Sequence, residues 1–71
     1  MYYIVVYDFE IKKVSKALKL FRRYLHWVQN SVFEGELTES QFEKLKKSCK
    51  ELIDPNNDSV IFYSLSNKQW L

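Results

Sequence analysis

A chain of 71 residues with a net charge of +2 can build one domain around one modest core, and a domain this short buries only about 60% of the surface its unfolded chain exposes. A single cysteine, Cys49, excludes an intrachain disulfide and the familiar zinc patterns, and no apolar run approaches the roughly 20 residues that cross a bilayer. Stability then has to come from good packing or from self-association. The 17% aromatic content suits either, because Tyr, Trp and Phe are enriched where subunits meet. A free thiol without a secretory signal points to the cytoplasm.

The chain opens on Tyr2-Tyr3-Ile4-Val5-Val6-Tyr7, a continuous β-branched and aromatic run that ends at Asp8. Such a run predicts a central strand with apolar residues on both faces. Ile11, Val14, Leu18, Phe21 and Leu25 then recur at steps of three and four, the buried face of an amphipathic helix. Lys12, Lys16, Lys19 and Arg23 follow the same spacing on another face. Residues 11–26 carry +6 in total and no acid, while the rest of the chain carries −4.

From about residue 27 to 37 the period shortens. Trp27, Val28, Val32, Phe33 and Leu37 alternate with polar residues, and Gln29-Asn30-Ser31 is a turn or bulge signal. Two short antiparallel strands, or one kinked strand, are expected there. Gly35, the single glycine, marks a bulge or a close backbone approach. Thr38-Glu39-Ser40-Gln41 has the form of a capping box. It opens a second helix whose buried stripe is Phe42, Leu45, Cys49, Leu52 and Ile53. Asp54-Pro55-Asn56-Asn57-Asp58 is a stop and turn, and Ser59 to Leu65 is the last strand.

Strand, helix, two strands, helix, strand is the βαββαβ order of an α+β, ferredoxin-like sandwich, one domain over residues 1–71. Both helices cover one face of the sheet. The strands are apolar on both sides, so the other face calls for a cover, and a second copy packed sheet to sheet is the economical one.

Asp8 stands at the carboxyl end of a central strand, where sheets of this kind place ligands. It is either the N-cap of the following helix or a functional carboxylate. The basic helix face is either a solvated surface or a track for phosphates. His26 falls at the end of that helix, where an imidazole can meet the last carbonyls. Tyr7 and Phe33 read as packing residues, with base stacking the sharper alternative for Phe33. Cys49 reads as a small buried hydrophobe.

Four blocks of this sequence resemble the small CRISPR adaptation protein of the "Cas-two" family. They are Tyr3-Ile4-Val5-Val6-Tyr7-Asp8, Leu20-Phe21-Arg22-Arg23-Tyr24-Leu25, Val28 to Thr38 (through Gln29-Asn30-Ser31-Val32-Phe33-Glu34-Gly35), and Asp58-Ser59-Val60-Ile61-Phe62-Tyr63. The resemblance implies a ferredoxin-like homodimer with facing sheets, and a metal-dependent endonuclease acting on single-stranded RNA or duplex DNA. It implies work beside the CRISPR integrase, holding prespacer DNA during spacer acquisition. By the same resemblance Asp8 is the metal-associated residue, and Tyr7 and Phe33 belong to the catalytic site. Lys12 and Lys13 stand where many members carry arginines, and Trp27 where many carry a basic residue. Family chains usually run on into a strand that crosses to the partner's sheet. Here it is incomplete after about residue 66, with at most its start near Lys68–Leu71.

One carboxylate per chain makes a poor nuclease. A two-fold axis near Asp8 would pair two of them, and Mg²⁺ or Mn²⁺ would relieve their repulsion and activate water against a phosphodiester. Lys12, Lys13, Lys16, Lys19, Arg22 and Arg23, doubled in a dimer, form the expected nucleic-acid track. Three classes stay open: a metal-dependent nuclease, a non-catalytic DNA-holding bridge, and a toxin-like ribonuclease of similar fold.

Overall fold

The apolar run at the amino end forms the strand that joins the molecule together. In the computed structural model, which describes residues 1–66, the elements follow as β1 (Tyr2–Asp8), α1 (Ile11–Arg22), β2 (His26–Gln29), β3 (Val32–Glu36), α2 (Glu39–Leu52) and β4 (Ser59–Leu65). The strands make one antiparallel sheet in the order β2-β3-β1-β4. This is the ferredoxin-like α+β fold that the element order predicts. The start of a crossing strand near Lys68–Leu71 lies outside the described residues.

β1 has a partner on each side, and its residues alternate between two environments. Tyr3, Val5 and Tyr7 are buried beneath the helices, while Tyr2, Ile4 and Val6 are half-buried on the opposite face. The helix side is an aromatic core. Phe21 from α1 and Phe33 from β3 have no solvent exposure, and their ring centres lie 5.4 Å apart. The Tyr7 ring packs 5.2 Å from Phe21 and 5.9 Å from Phe33. Further along, Tyr3 stacks on Phe42 of α2 at 4.5 Å, and Phe42 meets Phe62 edge-on at 5.4 Å. Contacts of this geometry add about 0.5–1.5 kcal/mol each beyond simple burial.

Register places Val32 of β3 and Ile61 and Tyr63 of β4 on the second face, beside Ile4 and Val6. Among the described residues no element covers that face, and Ile61 and Tyr63 are 48% and 53% exposed. Large aliphatic and aromatic side chains are thus set side by side in water, a pattern typical of interaction surfaces.

The region where the period shortens forms two strands. Asn30, at φ 44°, makes the hairpin turn, and a bulge at Val28 shifts the register between Trp27 and Gln29. Asn tolerates this left-handed backbone better than most residues. The capping box is complete: the Gln41 N–H donates to Thr38 Oγ1 at 3.1 Å, and the Thr38 N–H donates to Gln41 Oε1 at 2.9 Å. Cys49 is buried on α2 as its stripe implies, and burial pushes its thiol up to about 11. With Lys46, Lys50, Ile53, Val60 and Phe62 it lines an open cleft between α2 and β4.

Gly35 is a close approach. A Cβ there would stand 3.1 Å from Leu25 Cδ2 and 3.5 Å from Leu25 Cα. Leu25 is only 4% exposed and has little room to retreat. Gly35→Ala is expected to cost about 1 kcal/mol, overpacking outweighing the entropy that a strand glycine costs. Urea unfolding at equal slope measures it, and an unchanged midpoint would mean that Leu25 yields.

Ile11 and His26 differ from their expected places. Ile11, assigned to the buried helical face, is 93% exposed. It is the first residue of α1, three residues past the end of β1, so the first turn projects beyond the sheet it would pack on. His26, assigned to the end of the helix, is the first residue of β2 and pairs with Glu34. The helix closes earlier, where the Tyr24 and Leu25 N–H groups both donate to the Phe21 carbonyl.

Candidate functional site

β1 ends at Asp8, whose register partner is Ser59 of β4. Alternation along the strand puts Asp8 on the open face with Ile4 and Val6, exposed to solvent. Among the described residues its carboxylate has no hydrogen-bond or ion-pair partner. The N-cap alternative is not realised: the N-cap of α1 is Glu10, and no side chain of its own caps it. Asp8 is therefore free to bind something else.

The capping work falls to Asp58, to which the local sequence pattern gives no role beyond a turn. Its carboxylate accepts from the Glu10 N–H at 2.8 Å, from the Asp54 N–H at 2.8 Å and from the Lys13 ammonium at 2.7 Å. The Asp58 side chain has no exposed surface. The Lys13 charge and these amide donors hold its carboxyl down at about 2, and Lys13 in turn is held above its usual range, chiefly by its hydrogen bond to Asp58. Nearby, Asp54 is lowered by donors from Asn56 and Asn57. This cluster ties the β1–α1 junction to the start of β4, one residue from the Asp8–Ser59 pair.

Tyr7 and Phe33 lie inside the core on the helix side, across the sheet from the Asp8 side chain. Burial raises the Tyr7 phenol, against the opposing Arg22 charge and a hydrogen bond with the Ser31 side chain. A phenol raised in this way stays protonated near neutral pH and is no general base there. Phe33 has no exposed surface on which a base could stack.

Lys12, Lys16, Lys19, Arg22 and Arg23 are exposed along α1 and its cap. Lys13, expected with them, is half-buried and engaged with Asp58, so its charge is neutralised before a phosphate could use it. α1 packs through Ala17 and Phe21 on the covered side of the sheet. The basic ridge and the Asp8 carboxylate thus face away from each other within one chain.

Among the described residues no three His, Cys, Asp or Glu side chains converge to hold a metal ion. A single chain brings one carboxylate to the end of the open face. That fits a hard divalent cation which keeps most of its water and takes one or two carboxylates, provided that a second chain supplies the other.

The profile of the family described as CRISPR associated protein Cas2 matches residues 1–71. A CRISPR-associated endoribonuclease Cas2 of Pyrococcus furiosus is 54% identical over 65 residues, covering 92% of this chain and 76% of the relative. One from Methanosarcina acetivorans is 48% identical over 71 residues, covering 100% of this chain and 82% of the relative. A crystal structure of a Cas2 protein superposes with a TM-score of 0.94 at 43% identity, over 99% of this chain and 79% of that one. The apolar first strand with its terminal aspartate, the hairpin and the four-stranded sheet are thus those of a known group, and the chain belongs to the CRISPR-associated Cas2 family.

Proposed function

We propose that the chain acts as a sheet-to-sheet homodimer, a metal-dependent endonuclease that also holds prespacer DNA beside the CRISPR integrase during spacer acquisition. The observation that carries this reading is the open apolar face with an exposed, unpartnered carboxylate at its end. A second copy on that face covers Ile4, Val6, Val32, Ile61 and Tyr63, and a two-fold axis near the end of β1 brings two Asp8 side chains together. Close carboxylates repel, and a shared Mg²⁺ or Mn²⁺ removes the repulsion. When bound, the ion would supply charge neutralisation at a phosphodiester and an acidified water.

The chain's own residues do the rest. Asp8 holds the cation, Tyr7 and Phe33 fix the ends of β1 and β3 by packing, and Asp58 fixes the turn that follows Asp8. The ridge of Lys12, Lys16, Lys19, Arg22 and Arg23 remains on the outer surface of such a dimer, where it can follow a nucleic-acid backbone without reading its sequence. Holding DNA and cutting a strand then use different surfaces. The names of the relatives, endoribonucleases, support RNA as a substrate.

The test is cleavage of single-stranded RNA and of duplex DNA by the purified protein with Mg²⁺, with Mn²⁺ and with a chelator. Asp8→Asn is expected to lower cleavage by about 100-fold or more, as loss of a metal ligand does. Duplex binding should stay within about twofold, because its phosphate contacts lie elsewhere. Sedimentation should give a dimer for both proteins. A monomer, or full cleavage by Asp8→Asn, would overturn the paired-carboxylate mechanism. Intact DNA binding without any cleavage by the wild type would leave the holding role alone.

A further inference from the structure

Trp27 is the large exposed aromatic that the dimer and the carboxylate leave without a task. It is 58% exposed, on β2, one of the two edge strands of the sheet. Its register partner is Phe33, whose ring points into the helix-covered core. Trp27 therefore stands on the helix side of the sheet, and a second copy on the open face would not cover it.

The indole is held rather than loose. Its Nε1–H donates to the Asn30 carbonyl at 3.0 Å, across the hairpin turn that Asn30 makes at φ 44°. The bulge immediately after Trp27 re-aims this end of the strand. With its one polar atom satisfied within the hairpin, the ring shows solvent an apolar π surface. An exposed indole forgoes roughly 25 cal/mol for each Å² left in water, so a fixed and uncovered one is a feature that a partner could use.

The surroundings indicate which partner. Lys19 and Arg22 in the last turn of α1 and Arg23 at its cap precede β2 and Trp27 in the chain, and all three are exposed. The Arg23 guanidinium lies 5.8 Å from the centre of the Tyr24 ring. Leu25 and Tyr24 pass directly over Gly35 of β3, which keeps this junction on the same side of the sheet as Trp27. The nearest acid in the hairpin register, Glu34, pairs with His26 and belongs to the opposite face by alternation. A flat apolar ring on the same side of the sheet as three exposed cations complements an unpaired nucleobase and its phosphodiester backbone.

We infer that Trp27 is a stacking platform for one unpaired base of a single strand whose backbone follows Arg23, Arg22 and Lys19. The inference rests on the nucleic-acid reading above and adds to it a surface that separates single strands, or the frayed end of a duplex, from blunt duplex.

The test uses the full chain in chelator, so that no strand is cut, with a labelled 12-nucleotide oligothymidylate and a blunt 20-base-pair duplex as probes. Trp27→Ala is expected to weaken binding of the single strand by about tenfold, the range for one lost base stack. Binding of the duplex should stay within about twofold. Trp27→Phe, which keeps an aromatic face, should restore most of the loss and guards against misfolding of the alanine variant. Tryptophan emission should be quenched by the oligothymidylate more strongly in the wild type than in Trp27→Ala. Equal affinities of wild type and variant for the single strand, or equal losses for both probes, would overturn the stacking role and leave nucleic-acid binding standing. Failure of the wild type to bind either probe would overturn both.

Discussion

Phe33→Ala is expected to lower the thermal midpoint by about 20 °C, enough to leave this domain largely unfolded under ordinary assay conditions. The ring is fully buried between Phe21 and Tyr7. Truncating such a ring to alanine costs about 3–5 kcal/mol. A domain of this length has a total stability of roughly 4–11 kcal/mol, and each kcal/mol moves its midpoint by about 4–8 °C. Any loss of cleavage in Phe33→Ala would then follow from unfolding. Phe33→Leu separates the two explanations, because it keeps a large apolar side chain and leaves a much smaller cavity than alanine, and it should keep both fold and cleavage. A folded Phe33→Leu protein that no longer cut would show that the ring does more than pack. Circular dichroism melts beside the cleavage assay give both answers.

Asp58→Asn is the second substitution with a large expected effect. Asparagine keeps the shape but offers one acceptor oxygen where Asp58 receives three donors, and it leaves the half-buried Lys13 ammonium without its counter-charge. The midpoint should fall by on the order of 10 °C at neutral pH. The effect has a pH signature. The Asp58 carboxyl is held down at about 2 in the folded chain, below the value near 3.9 of a free aspartate. Its contribution is therefore fully present above about pH 4 and is lost as the pH falls from there toward 2. The gap in midpoint between wild type and Asp58→Asn should be constant from pH 7 to 5 and narrow below pH 4. A gap that stayed constant down to pH 2.5 would show that the ionised carboxylate is not the source of the stability.

The same residue shows where reading the chain alone stops. Hydrophobic period, turn residues and capping chemistry act over a few positions, and the features built from them are found where the sequence puts them: the two helices, the Thr38–Gln41 box, the hairpin at Asn30 and the tight approach at Gly35. Asp58 looks like one more turn residue, because turn chemistry already accounts for it. Its partners Glu10 and Lys13 are more than 40 residues away, and no local pattern pairs them. Ile11 misleads for a related reason, since helical period is blind to where the sheet beneath the helix ends. For the candidate site, the position of Asp8 at the end of a central strand is readable. That it is not the helix cap, and that Lys13 is withdrawn from the basic ridge, emerge only once Asp58 is in place.

The burial of Cys49 has a practical side. A thiol pushed up to about 11 by burial holds far less thiolate at neutral pH than a free cysteine, and the thiolate is the nucleophile that attacks alkylating reagents and disulfides. The chain's only native sulfhydryl should thus stay nearly silent toward maleimides during brief labelling. A fluorophore or spin label can then be attached at a cysteine introduced on the surface, without first deleting the natural one.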